Sequence, residues 1–379
     1  MLSSFRVGMR SIAALSLFGL MLGCGGSDSS SGGASKAPTP DLGAAAGTPE
    51  LKRIIVLTNG NAPFWDAAAA GAKDAEKELG CAADGFQVVV DRNDFKAEGQ
   101  IEKLRQYASA TDVAAVAISV TDAQNEAIPE EMRKLQKAGI KVVTIDSDVN
   151  RETASDCRFA YLGTDNIVGG RELGAAAKGL LPNGGKYATF VGLKNAANAQ
   201  ERISGLAEGA GDKFTQAENL GDGGDEAVAR TNVKDALNRN EDMALLVGIW
   251  SYNTPAIIDV VKQANAREKL KLVGFDADPP AILGMGEGML DVMVVQNPYQ
   301  MGYQGVRILR ALVKNDEATV KEMFPTRDAK DGDIFDTGLK VIVPNEGSPL
   351  KRELFGPKTD FLKLDEFKQW LDKYKLTGS

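Results

Sequence analysis

Residues 141–148 read KVVTIDSD, a run of five strand-forming residues that leads without a break into three polar ones. The same arrangement recurs at 113–122, VAAVAISVTD, and at 271–278, KLVGFDAD. Continuous apolar runs of this length are typical of parallel strands that are covered on both faces. Longer amphipathic stretches separate the runs, so the pattern predicts a series of βαβ units.

This pattern occurs twice along the chain. One set of predicted strands lies within residues 53–162 and a second within residues 186–295. Two sets of similar size predict an α/β fold of two doubly wound parallel-sheet lobes, each with helices on both faces. A further predicted helix, 299–314, and a predicted strand, 339–343, must each join one lobe or the other. An amphipathic segment at 364–376 predicts a short helix in a packed C-terminal tail.

The first 50 residues have a different composition. Arg6 and Arg10 precede an apolar run at 11–22 that is too short for a membrane anchor, so residues 1–23 are predicted to be a signal peptide. The residues before Cys24 resemble the lipobox of bacterial lipoproteins, in which this cysteine carries the lipid; a plain signal peptide or a buried helix is the alternative. Residues 24–50 contain almost no large apolar side chain, which predicts a flexible tether.

Charge and composition exclude several classes of function. The chain has 44 basic and 52 acidic residues, and this negative balance argues against nucleic acid or anionic lipid as the main partner. It has no histidine, so no serine–histidine or cysteine–histidine dyad and no histidine metal ligand can form. No phosphate-binding Walker sequence occurs, and no strand leads into Gly-x-Gly-x-x-Gly. Carboxylates and lysines alone can still serve an enzyme, so these absences argue against catalysis without excluding it. We expect a protein that is not an enzyme and binds no metal or cofactor.

Two cysteines follow the predicted tether. Cys81 comes just after the first predicted helix and Cys157 just before a predicted strand, both at the edge of the first lobe where strands begin. A disulfide can persist outside the cytoplasm, so either a Cys81–Cys157 bridge or two ordinary small buried residues is expected.

Polar and aromatic side chains follow the predicted strands. Ligands of open α/β sheets bind beyond the carboxyl ends of the strands, where these side chains converge. Aromatic rings can cover the C–H faces of a sugar, while carboxylates and amides bond its hydroxyls. The alternatives are core packing for Phe64 and helix capping for Asp146 and Asp276, and Asp122 is interpreted as a helix cap. The candidate ligand-binding residues are Asn61, Phe64, Trp65, Asp146, Ser147, Asp148, Asn198, Gln200, Trp250, Asn253, Asp276 and Gln296.

Seven short stretches, taken in order, resemble the ribose/galactose-type periplasmic binding proteins of ABC sugar importers. The stretches are 61–65, 118–122, 143–146, 163–170, 200–202, 273–276 and 295–296. The resemblance implies the type I periplasmic binding protein fold, in which three crossovers form a hinge between the lobes. The implied N-terminal lobe comprises 51–165 and 297–335, the C-terminal lobe comprises 166–296 and 336–344, and 345–379 form the tail.

The same resemblance implies a function. Such proteins close around a sugar or polyol and deliver it to an ABC permease in the membrane. We expect this chain to have the same function as a monomer in the periplasm or another extracytoplasmic space, where lipid on Cys24 tethers it to the membrane. By position, Phe64 and Trp65 match the family's stacking rings, Asp146 and Asp276 its hydroxyl-binding carboxylates, and Gln296 a polar contact beside the hinge.

Other functions and ligands stay open from the sequence. Ser147 and Gln200 stand where ribose-type members carry arginines, with Arg202 nearby, which suggests a different sugar, a polyol or a cationic solute. A sensory protein that presents its ligand to a membrane receptor would share the fold. A glycoside hydrolase would also need paired carboxylates, and Asp146 and Asp276 could form such a pair.

Overall fold

Strands and helices alternate through residues 51–62 and 64–379, the part of the chain that this computed structural model describes. The predicted signal peptide, tether and lipidation site at Cys24 lie outside the described residues. Within them, no helix has both the length and the apolar character that a bilayer-spanning segment needs.

The elements are given in chain order. The first group is β1 (Lys52–Leu57), α1 (Phe64–Glu78), β2 (Phe86–Asp91), α2 (Ala97–Ser109), β3 (Val113–Ile118), α3 (Ala127–Lys137), β4 (Lys141–Ile145), α4 (Arg151–Ala154) and β5 (Tyr161–Gly163). The second group is α5 (Asn166–Leu180), β6 (Gly185–Val191), α6 (Ala197–Ala210), β7 (Phe214–Gly221), α7 (Glu226–Arg239), β8 (Met243–Gly248), α8 (Asn253–Gln263), β9 (Lys271–Phe275), α9 (Pro279–Gly286) and β10 (Val292–Val295). The last group is α10 (Pro298–Lys314), α11 (Glu317–Met323), β11 (Ile334–Asp336), β12 (Leu339–Val343), β13 (Thr359–Lys363) and α12 (Leu364–Lys373).

Two sheets organise these elements into two lobes. The N-terminal lobe has a six-stranded sheet in the order β11-β5-β4-β3-β1-β2, and the C-terminal lobe has a seven-stranded sheet in the order β13-β12-β10-β9-β8-β6-β7. Neighbouring strands pair in parallel except β10 with β12, which is antiparallel. The predicted fold class, two doubly wound α/β lobes, is confirmed.

Helices cover both faces of each sheet, which explains why the strands are apolar throughout. On β1, Ile54 and Val56 pack into the cluster that contains residues of α1 and α10, while Ile55 and Leu57 face residues of α2 and α3. All six residues of β3 are buried. Alternate residues of a strand point to opposite faces, so a run without polar positions is what a doubly covered sheet requires.

The chain passes between the lobes three times. It leaves the N-terminal sheet after β5, returns from β10 into α10, and leaves again from β11 into β12. Helix α10 packs closely on α1. The approach requires glycine at position 71, since a Cβ there would overlap the Tyr299 carbonyl. Two of the three connecting segments are in direct contact, because the Thr337 N–H donates to the Gly163 carbonyl at 2.8 Å.

Helix α3 and the C-terminal tail differ from the sequence expectation, and four short elements, α4, α9, α11 and β11, were not predicted. Helix α3 begins at Ala127, so Asp122 is not its cap. The Asp122 carboxylate instead accepts a hydrogen bond from the backbone N–H of Gln124 at 2.9 Å, in a separate turn. The C-terminal tail was expected to hold only a helix, yet β13 also extends the C-terminal sheet in parallel with β12. Only Phe361 and Leu362 of the five residues in this edge strand are apolar, so it lacks the continuous apolar run by which the other strands were predicted.

The two cysteines do not form the disulfide that was one of the two expectations. Cys81 and Cys157 are both free and buried. They belong to clusters on opposite faces of the N-terminal sheet, and the Cys157 sulfur lies 3.8 Å from the sulfur of Met132. Burial raises the pKa of the Cys157 thiol to about 12, so this thiol is inert near neutral pH.

Candidate functional site

Each lobe has an aspartate with a left-handed backbone directly after a strand of its sheet. Asp146 directly follows β4 and Asp276 directly follows β9, and both have left-handed backbones with φ of 58° and 66°. Non-glycine residues rarely adopt this conformation, and such strain tends to occur at functional sites. Both residues are 3% exposed, and neither caps a helix. The capping alternative is therefore excluded for these two residues.

Arg202 lies between the two carboxylates. Its Nη2 is 3.8 Å from an Asp146 oxygen and its Nη1 is 3.9 Å from an Asp276 oxygen, and the side chain is 1% exposed. Nε donates to the Asn166 amide oxygen at 2.9 Å and Nη1 to the Ile249 carbonyl at 3.0 Å. Nη2 has no hydrogen-bond partner. A buried guanidinium with an unused donor is costly, so Nη2 is a candidate hydrogen-bond donor to a solute in this site.

Close helix packing holds Arg202 in place. A Cβ at Gly170 of α5 would overlap the Arg202 carbonyl, and a Cβ at Gly205 of α6 would overlap the Ile167 carbonyl. The guanidinium also lies 3.9 Å above the ring of Phe275. Small residues on both helices thus bring the arginine to the end of the sheet with its orientation fixed.

Burial perturbs both aspartates. Desolvation raises the pKa of Asp276 to about 7, against the opposing effects of Arg202 and of the Gln296 amide, which donates at 2.9 Å. Desolvation also raises the pKa of Asp146, although Arg202 and hydrogen bonds from Ser119 and Asn198 oppose the rise. Both carboxylates therefore favour ligands that supply hydrogen-bond donors.

These three charged side chains face a small cavity of about 30 Å³ between the lobes. This volume is far below the roughly 300–1,000 Å³ range of small-molecule sites, so the lobes must part for a sugar-sized solute to enter. Both lobes contribute to its lining, which consists of Asn59, Ala62, Phe64, Trp65, Phe95, Asp146, Asn198, Arg202, Trp250, Ser251, Tyr252 and Asp276.

Aromatic rings form much of the cavity wall. Phe64 and Trp65 meet edge to face at 5.1 Å, and the Trp65 indole donates to the Asn59 side chain at 3.2 Å. Phe95 of the N-terminal lobe stacks on Trp250 of the C-terminal lobe at 6.0 Å. The wall is thus rigid and apolar on its faces, while its indole N–H groups are already bonded.

Six of the twelve predicted ligand residues line this cavity: Phe64, Trp65, Asp146, Asn198, Trp250 and Asp276. Asn198 also links the lobes, because its amide nitrogen lies 3.3 Å from both Asp146 oxygens and its oxygen accepts from the Trp250 indole at 3.2 Å. Gln296 lies behind Asp276, and its own amide oxygen is buried without a partner.

The structure places two further predicted residues at the surface. Asn61 is exposed and accepts from Arg92 at 2.9 Å. Gln200 is exposed on α6, where successive residues turn by about 100°. Gln200 and Arg202 are thus separated by about 200°, so the arginine points inward when the glutamine faces solvent. Arg202, and not position 200, supplies the guanidinium of the site.

The remaining predicted residues support the loops around the cavity. Asp148 is paired with the buried Arg158 through two hydrogen bonds of 2.7 and 2.6 Å. Asn253 accepts from the Trp250 amide at 3.1 Å and donates to Asp222 at 2.8 Å, which fixes the loop that carries Trp250. Ser147 is fully buried, and its hydroxyl has no hydrogen-bond partner. None of these three side chains is part of the described cavity lining.

Six lining residues were not among the predicted set: Asn59, Ala62, Phe95, Arg202, Ser251 and Tyr252. Asn59, Ser251 and Tyr252 follow strands and could have been chosen by the same rule as the others. Phe95 could not, because it lies four residues after β2 in a turn, with a left-handed φ of 64°.

Comparison with known families gives one match over most of the chain. The family described as the periplasmic binding protein domain matches residues 54–317.

Individual relatives and solved structures agree with this match. The ribose import binding protein of Escherichia coli is 21% identical over 275 residues, which cover 70% of this chain and 86% of that protein. The D-allose-binding periplasmic protein of Escherichia coli is 25% identical over 262 residues, or 67% and 82% of the two chains. A solute-binding protein from Burkholderia graminis, solved with D-arabinose, superposes with a TM-score of 0.67 at 24% identity, covering 78% of this chain and 96% of that one. A glucose-galactose binding protein from Geobacillus stearothermophilus gives 0.66 at 24% identity, covering 78% and 98%.

Proposed function

The chain belongs to the periplasmic binding protein family, and on this basis we propose that it binds a monosaccharide or a similar polyhydroxylated solute between its lobes for an ABC-type importer. One observation carries the proposal. The guanidinium of Arg202, whose Nη2 is unused, lies between two buried carboxylates, one from each lobe, beside a wall of aromatic rings.

A sugar ring fits this chemistry. Adjacent hydroxyls can donate to Asp146 and Asp276 while their oxygens accept from Arg202. The C–H faces of the ring can lie against Phe64 and Trp250, which offer apolar surface. The names of the relatives support this class, since they refer to ribose, allose, arabinose, glucose and galactose.

Closure of the lobes follows from how the binding groups are divided. Asp146 belongs to the N-terminal lobe, while Arg202 and Asp276 belong to the C-terminal lobe. A solute that touches both lobes gains all of these contacts only when the lobes meet, so it stabilises the closed state by differential affinity. The closed state is then the form that a membrane permease accepts.

The location and partners of the protein are part of the same proposal. A signal peptide over 1–23, lipid on Cys24 and a tether over 24–50 would hold a monomeric binding domain near the membrane outside the cytoplasm. The tether would let this domain reach a permease while the lipid stays inserted.

Catalysis by the two carboxylates is not favoured. The relatives of this chain are solute-binding proteins and not enzymes. Both aspartates here face one guanidinium, which serves binding of hydroxyls and leaves no carboxylate free to act as a base or nucleophile.

A thermal-shift screen of the full chain against D-ribose, D-allose, D-arabinose, D-xylose, D-galactose, D-glucose and common polyols tests the proposal. A solute that binds only the folded state adds about 2.7 kcal/mol of stability at one hundred times its Kd, so at least one compound raises the melting temperature. Asp146→Ala and Trp65→Ala abolish this shift, whereas Asp156→Ala and Trp370→Ala, which change residues remote from the cavity, retain it. Equal shifts in all four variants would refute the site.

A further inference from the structure

A second pocket lies between the lobes beyond Phe95. This outer pocket is open to solvent and has a volume of about 370 Å³, and it takes its polar lining from Thr121 and Asp122 of the N-terminal lobe and from Lys194 and Asn195 of the C-terminal lobe. Among the described residues, Phe95 alone lines both the outer pocket and the inner cavity. The ring of Phe95 is therefore the partition between the two spaces.

Both lobes hold the Phe95 ring in this position. Its backbone N–H donates to the Asn59 carbonyl at 2.9 Å, and its φ of 64° is a conformation that a bulky side chain rarely adopts. A Cβ at Gly60 of the N-terminal lobe or at Gly224 of the C-terminal lobe would overlap the ring. The ring also stacks on the ring of Trp250, with centroids 6.0 Å apart and planes at 28°. A strained backbone kept under such tight packing is typical of a functional constraint.

We propose that Phe95 is the specificity-determining residue that limits the ligand to a single sugar ring, and that the outer pocket is a latent second subsite for a further ring or an aglycone. This inference rests on the proposed function, because it assumes that the inner cavity holds a sugar. It adds the residue that sets the length of the ligand.

The chemistry of the outer pocket supports this role. A carboxylate, an ammonium group, a hydroxyl and a side-chain amide surround it, and each can bond sugar hydroxyls. A ligand that fills the inner cavity and extends by one ring must pass through the space that the Phe95 ring occupies. Without the ring, the two spaces join and the extended ligand contacts both.

Isothermal titration of the full chain tests the inference. The probes are the six monosaccharides named above, their 4-nitrophenyl glycosides, and maltose, cellobiose, lactose, melibiose and xylobiose. Phe95→Gly deletes the ring and relieves the left-handed strain, and Phe95→Ala is a second ring-deleting variant. Phe95→Leu keeps a bulky side chain, and Phe361→Ala removes a half-buried phenylalanine on β13 that lines neither space.

The unmodified chain is expected to bind a monosaccharide and to reject its glycosides and the disaccharides. Phe95→Gly and Phe95→Ala bind at least one glycoside or disaccharide about tenfold or more tightly than the unmodified chain does, and bind the monosaccharide more weakly. Phe95→Leu and Phe361→Ala keep the original preference.

Two results would overturn the inference and leave the proposed function standing. One is monosaccharide binding by the unmodified chain with no gain of longer ligands in either ring-deleting variant. The other is equal affinity of the unmodified chain for monosaccharides and their glycosides. Failure of the unmodified chain to bind any of the sugars would instead remove the proposed function, and the inference with it.

Discussion

Arg202 shows how one side chain sets the charge balance of the cavity. It is 1% exposed and faces two carboxylates at 3.8 and 3.9 Å, distances that give electrostatic attraction without a hydrogen bond. The three side chains together carry a net negative charge when both aspartates are ionised. A neutral polyhydroxylated ligand can satisfy them all without adding charge to a buried site.

Replacement of this arginine is expected to destabilise the fold as well as abolish binding. Arg202→Met leaves Asp146 and Asp276 buried without a cation, which costs about 3–5 kcal/mol of unfolding free energy at pH 8. The loss shrinks at pH 5, because both carboxylates have raised pKa values and take up protons. Urea denaturation at the two pH values measures both effects.

Arg171→Met is the matched control for this substitution. Arg171 pairs with Glu208 at the surface of the same helix pair, with about half of each side chain exposed, and such pairs contribute about 1 kcal/mol or less. Equal destabilisation by the two variants would contradict the role given to Arg202.

The pKa of Asp276 predicts a dependence of stability on pH. In the folded protein this pKa is about 7, against 3.8 for an ordinary aspartate, so folding favours the protonated form. The resulting stability is fully present below about pH 4 and is lost as the pH rises through about 7. Between pH 4 and 8 the unmodified protein therefore loses up to roughly 4 kcal/mol that Asp276→Asn does not lose.

Urea denaturation across this pH range, without sugar, measures the difference. Asp259→Asn changes an exposed aspartate on α8 and should follow the unmodified protein at every pH. Parallel curves for the unmodified protein and Asp276→Asn would show that burial does not raise this pKa.

Helices α5 and α6 show what sequence patterns can and cannot predict about an element. Apolar periodicity predicted both helices, and the rule that ligands bind at strand ends selected Asp146 and Asp276 on the two sheets. The same rule chose Gln200 over Arg202, because it fixes the loop and not the rotation of the helix that follows. That rotation depends on contacts of Gly170 and Gly205, which are far apart in sequence. Phe95 was not predicted as a lining residue for a similar reason, because packing from both lobes holds its unusual backbone.

The α5–α6 contact is expected to control the site from a distance. Gly170→Ala places a methyl group against the Arg202 carbonyl, so α6 must shift, with a cost of about 1–3 kcal/mol and weaker sugar binding. Thermal denaturation and titration with the bound sugar measure the two effects. Gly286→Ala at the end of α9 is the control, because its new Cβ would meet only a Leu364 methyl at 3.7 Å. Unchanged sugar affinity in Gly170→Ala would show that α6 does not need this close approach.

The arrangement of the two lobes was predictable because repetition along the chain and strand composition encode it. Two sets of continuous apolar strands indicated two doubly covered sheets, and the antiparallel β12 continues the second sheet through the pairing of Val294 with Val341. The absence of a disulfide was not predictable, since which face of a sheet receives Cys81 or Cys157 depends on strand and helix rotation. The strand β13 was missed because an edge strand with one solvated face need not be apolar.

Ligand-driven closure is the central claim. Double electron–electron resonance spectroscopy, which measures the distance between a spin label on each lobe, tests it most directly. Spin labels on Gln124→Cys of the N-terminal lobe and Lys234→Cys of the C-terminal lobe, both exposed positions, report the distance in residues 49–379, while Cys81 and Cys157 are buried and stay unlabelled. A saturating sugar that raises the melting temperature is predicted to shift the distances to a shorter and narrower distribution, with no such shift in Asp146→Ala. The same distribution with and without that sugar would contradict the claim that the solute draws the lobes together.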